Sequence, residues 1–279
     1  MDKSKIKNFI IIVLVLVNVF LLVIVVSNAR ERRHAELYNK QALENIFTER
    51  GIYLNPNIKL PDKISPQVSL KRDTDNEYKR ISALLGNCVV DDLGGNIYSY
   101  KGPNGIAEFR GNGEFDILLY AGVISKGKDP VDAAKIVMKK LGIEYSDAEI
   151  VLEENGTNTS ITLLCSWDGT PIYNSRINFY YNSKYLTLIS GSRPLDIEYS
   201  VQSSEDYLDS ATVLMSFLES VRQTGDVFSE INNLKIMYTL NSAVSGDCTL
   251  KPIWCLQTNS KYYYIDARTG RLENAELVP

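Results

Sequence analysis

From Phe9 to Val26 the chain is apolar at every position except Asn18, an 18-residue run. At about 1.5 Å per residue a helix of that length spans roughly 27 Å, close to a bilayer's hydrocarbon core. The pattern predicts a transmembrane anchor over 9–26, preceded by a short basic head (1–8). Ser27-Asn28-Ala29 leaves a cleaved leader as the alternative. Asn18, the one strongly polar side chain in the run, is a candidate contact to a second membrane helix. Beyond it, "RERRHAELYNKQALENIFTER" (30–50) is rich in helix formers and ends at Gly51. The Pro/Asn-punctuated "NPNIKLPDKISP" (55–66) reads as a connector.

The later pattern is compact. A short helical piece falls around Tyr78–Leu85. Alternation broken by Pro-Asn-Gly and Gly-Asn-Gly predicts a three-stranded meander from Asn96 to Tyr120. "KDPVDAAKIVMKKLG" (128–142) is the clearest helix, with Asp129 to cap it, Pro130 in its first turn and Gly142 past its end. Its stripe of Ala133, Ala134, Val137, Met138 and Leu141 predicts a buried face. Strands are expected at 149–153, 160–167, 172–181 and 185–190. A helix at 204–221 follows, then strands at 234–240, 249–257 and 262–267.

The two halves resemble one another. Asn182-Ser-Lys-Tyr185 recurs as Asn259-Ser-Lys-Tyr262, an offset of 77 that also carries Ala134 to Ala211 and Met138 to Met215. The expected fold class is therefore α+β: one N-terminal transmembrane helix, then antiparallel sheets each packed by a helix, with a duplicated helix-plus-sheet unit. The expected divisions are a cytoplasmic head at 1–8, the anchor at 9–26, a juxtamembrane helix and linker at 27–79, and α+β domains at 80–195 and 196–279.

Charge narrows the function classes. After the span there are 27 basic and 33 acidic residues, a formal net of −6, with no basic stripe, which argues against nucleic acid as a partner. Lys3, Lys5 and Lys7 before the span and Arg30, Arg32 and Arg33 after it nearly tie the positive-inside count. The small head and single span then favour a cytoplasmic N-terminus and an extracellular domain. Cys88, Cys165, Cys248 and Cys255 contain no CxxC pair, and the only histidine, His34, adjoins the span. Buried free thiols are the expectation, with disulfides as the alternative. No G-x-S-x-G, H-E-x-x-H or P-loop occurs, so no catalytic residue, metal ligand or cofactor site is assigned.

"IIIVLVLVNVFLL", "LENIFTERGIYLNPNIKLP" and the ending "LKPIWCLQTNSKYYYIDARTGRLE" together resemble the YycH/YycI membrane-anchored regulators of Gram-positive bacteria, on the YycI side. The same ending is similar to PepSY-type modules, small helix-plus-sheet domains. The resemblance implies a non-enzymatic regulator at the cell membrane that touches a sensor histidine kinase (YycG or WalK) governing cell-wall metabolism, and a YycH-like sister protein. A PepSY-like inhibitor or chaperone of an extracellular peptidase is the alternative.

The closing stretch "NSKYYYIDARTG" (259–270) holds the remaining candidates. Strand alternation puts Tyr262 and Tyr264 on one face and Tyr263 with Ile265 on the other, so at least one face must meet a helix as core. The earlier copy lacks equivalents of Tyr263, Tyr264 and Asp266. These three and Asn18 are the partner-contact candidates.

Overall fold

The computed structural model describes residues 13–15, 17–23, 25–27, 40–61, 63–194, 197–202, 206–242 and 248–278. They form two compact units: Met1–Ile58 with Val227–Asn232, and Lys59–Asp226 with Asn233–Pro279. In the first, helix α1 (residues 40–49) buries Leu43 and Phe47. Strand β1 (Tyr53–Leu54) pairs in parallel with Glu230 and Ile231, at the start of β12 (Glu230–Ser242).

In the second unit, each helix begins on an aspartate whose carboxylate accepts first-turn amides. Asp73 caps α2 (Thr74–Leu85), Asp129 caps α3 (Pro130–Leu141) and Asp209 caps α4 (Ser210–Thr224). Gly142 closes α3 with φ 70°, a left-handed conformation that costs glycine nothing. The cap, the first-turn proline and the terminal glycine of α3 fall where the sequence puts them.

Strands dominate the rest. Eight neighbours form one run: β7 (Tyr145–Asn155), β8 (Asn158–Trp167), β9 (Thr170–Asn182), β10 (Tyr185–Ser192), β6 (Glu114–Leu119), β5 (Gly105–Phe109), β4 (Ile97–Gly102) and β3 (Val89–Gly94). Every pair in this run is antiparallel. Buried Ile81 and Leu85 of α2 and Ala134 and Met138 of α3 share one core with Ile161 and Leu163 of β8, Phe179 of β9, and Tyr100 and Phe109. Phe109 stacks on Phe115 at 5.0 Å, and Tyr100 meets Phe109 edge-on at 5.9 Å. Gly105 is required where it stands, because a Cβ there would lie 2.1 Å from the Leu118 carbonyl oxygen.

A second run holds β11 (Ile197–Val201), β2 (Val68–Arg72), β13 (Cys248–Thr258) and β12, with β14 (Lys261–Asp266) and β15 (Leu272–Leu277) branching from β13. The two runs join where Tyr238 of β12 pairs in parallel with Ile172 of β9. Beside that join, the Asn174 side chain donates to the Leu240 carbonyl (2.9 Å) and accepts from its amide (2.8 Å), acting as an extra rung.

The expected fold class is corrected here. Among the described residues no helix is long and apolar enough to cross a membrane. The span expected over 9–26 lies partly outside the described residues, at 9–12, 16 and 24. Nor are there separate antiparallel sheets, each under its own helix. In the second unit, hydrogen bonding links β2 to β15 into one mixed sheet, and β2, from the expected linker, lies between β11 and β13. The helices also match at a different offset. Buried Ala134, Val137, Met138 and Leu141 correspond to buried Leu214, Phe217, Leu218 and Val221, each 80 residues on, whereas Met215 is 38 % exposed.

Candidate functional site

The tyrosine-rich ending is built around a pinned turn. The buried Thr258 hydroxyl accepts from the amides of Ser260 and Lys261, and β14 then runs back along β13 with Tyr264 opposite Cys255. Alternation along β14 divides its tyrosines as expected. Tyr263 is fully buried, its ring 4.8 Å from Phe217 of α4, and its hydroxyl donates to Asp226 at 3.2 Å. Burial, with the Asp226 charge beside it, pushes the Tyr263 phenol up to about 12. Lys261, 2.7 Å from Asp226, holds that carboxyl below its ordinary range.

Tyr264 points the other way. It is 4 % exposed and stacks on Tyr173 at 4.0 Å, and its hydroxyl donates to Glu276 at 3.3 Å. Asp266 turns the chain between β14 and β15, accepting from the amides of Arg268 (2.9 Å) and Thr269 (2.6 Å). Asn18 is exposed and donates to the Leu14 carbonyl of its own helix at 2.9 Å. The sequence candidates are thus dispersed: Tyr263 in one core, Tyr264 in another, Asp266 in a turn.

Tyr264 leads to a groove of about 440 Å³. Leu164, Cys255 and Tyr264 line it as buried groups, and half-buried Tyr262 adds a second ring. Two ion pairs border it, Glu149–Lys235 at 3.2 Å and Arg176–Glu276 at 3.9 Å. Their side chains are 36–41 % exposed, so each pair contributes little to stability. Val151 (52 % exposed) and Leu277 (76 % exposed) place apolar surface at the mouth. Burial pushes the Cys255 thiol up to about 12, which keeps it protonated and a poor nucleophile. All four cysteines are buried free thiols, as expected.

Both strands at the mouth are edges among the described strands: β7 pairs only with β8, and β15 only with β14. A strand at such an edge is where an extended segment can add by backbone hydrogen bonding. Sequence reasoning missed β15, whose residues are mostly exposed and only half apolar, and with it Glu276 and Leu277. Counting back across the pinned turn would have found Cys255 opposite Tyr264.

No family model matches the chain, and no curated protein does. Among solved structures, it is similar to an uncharacterized protein from Eubacterium rectale ATCC 33656. The TM-score is 0.50 at 14 % identity, over 81 % of this chain and 90 % of that one. That likeness is one of fold alone. The C-terminal domain of YpeB from Bacillus megaterium aligns with a TM-score of 0.39 at 12 % identity, over 75 % of this chain and 99 % of that domain. A likeness that distant carries no weight for function. The YycH/YycI resemblance rests on the sequence.

Proposed function

We propose that this chain is a non-enzymatic regulatory protein that acts by contact, and that an extended segment of a partner docks in the groove between β7 and β15. One observation carries the reading: a tyrosine-lined concavity opens between two strand edges that bear exposed Val151 and Leu277. Tyrosine supplies large, rigid contact area, and strand edges supply backbone hydrogen bonds. The YycI resemblance names the leading partner, a sensor histidine kinase of the YycG/WalK kind, with a YycH-like sister protein second and an extracytoplasmic location for the folded part. Such a protein shifts a kinase between states only by binding one of them better.

The test is co-purification of the full chain with the full-length kinase. Val151→Asp with Leu277→Asp changes two exposed side chains, so the fold survives, while kinase recovery is expected to fall at least about tenfold. Undiminished recovery by a folded double variant removes the groove from the account. An extracellular peptidase inhibited by the wild-type chain, with no kinase recovered, favours the PepSY-like alternative.

A further inference from the structure

A second concavity, of about 480 Å³, lies at the β8–β9 turn. Asp168 (φ 47°) and Gly169 (φ 73°) form a tight turn of the Asp-Gly kind, which holds Trp167 at the hairpin's end. Strand β11 brings Tyr199 against it, with ring centroids 5.3 Å apart and planes at 75°. The two rings make a corner, and Tyr199 is 62 % exposed. Buried Tyr238 adds a third ring, its hydroxyl committed to the Pro66 carbonyl at 2.9 Å. Exposed Glu144 and Asp168 add two carboxylates to the lining.

The charge pattern selects the ligand. Arg193, 5 % exposed, has its guanidinium 5.6 Å from the Trp167 ring centroid and donates to the Ser166 carbonyl. Trp167 therefore already receives one cation. Two carboxylates against that one guanidinium leave the site net negative, which disfavours anions. Aromatic rings at an angle with carboxylates nearby suit a cation that carries an alkyl shell.

We propose that this pocket binds an organic ammonium group, its alkyl shell against Trp167 and Tyr199 and its charge offset by Glu144 and Asp168. The group can come from a small molecule or from a methylated lysine on another protein. The full chain contains two tryptophans, and Trp254 is fully buried with its indole N–H on the Leu208 carbonyl, so its indole resonance serves as an internal reference. Titration with choline is expected to shift the Trp167 indole resonance saturably in the millimolar range and to leave that of Trp254 in place. The uncharged isostere 3,3-dimethylbutanol should bind at least about tenfold more weakly, and Tyr199→Ala or Glu144→Gln should weaken choline by a similar factor. Tighter binding by a trimethyl-lysine peptide than by choline assigns the group to a protein; the reverse order assigns it to a small molecule. No saturable shift, equal binding of the isostere, or full affinity in folded Tyr199→Ala would overturn the proposal.

Discussion

At the residue scale, the buried charge of Glu77 is the most exposed to mutation. Its carboxylate is 1 % exposed and accepts from Arg72 at 2.7 and 2.8 Å and from the Tyr100 hydroxyl at 2.6 Å. Replacing Glu77 by Ala removes the guanidinium's counter-charge and the Tyr100 hydroxyl's acceptor, leaving Arg72 only the Asn96 and Phe109 carbonyls, and urea unfolding should show a loss of about 3 kcal/mol. Cys255 makes a pH prediction. Its folded value is raised from 9.0 to about 12, so the unfolded chain releases this proton first. The contribution is complete below pH 9 and is lost as pH rises toward 12. A Cys255→Val variant should therefore lose less stability than wild type between these pH values, measured as urea midpoints across the range.

At the element scale, the helices show how a repeat can be misaligned. Offsets of 77 and 80 differ by three residues, nearly one turn, so an apolar stripe falls on almost the same face under either. Only burial separates them. Phe217→Ala should cost about 3–5 kcal/mol, because it opens the core under Tyr263, whereas Met215→Ala should stay within about 0.5 kcal/mol. Comparable losses in the two variants would contradict the offset of 80. Helices and central strands were legible because caps, glycines and alternation are local signals. The strands β2, β3, β11 and β15 were not, because edge strands need little apolar sequence and β2 gains its neighbours only through distant pairing. β3 illustrates this: five of its six residues are exposed.

At the scale of the whole molecule, the sequence conveyed a mixture of helix and strand but not one shared sheet. The join at Tyr238 and Ile172 is a single parallel pair, and no local pattern announces it. Asn174→Ala removes a side chain that serves both backbone groups of Leu240, so it should destabilise the chain by about 1–3 kcal/mol in urea unfolding. The candidate groove was legible in part. The tyrosines of β14 pointed to one strand that lines it, yet the groove depends on Tyr262 and Tyr264 together with β7 and β15, which meet only after folding.

Docking of a partner between β7 and β15, as proposed, is open to amide hydrogen exchange of the full chain with and without the kinase. Exchange in β7 and β15 should slow when the kinase is present, with β3 unchanged. Protection elsewhere, with β7 and β15 exchanging as in the free chain, would contradict it.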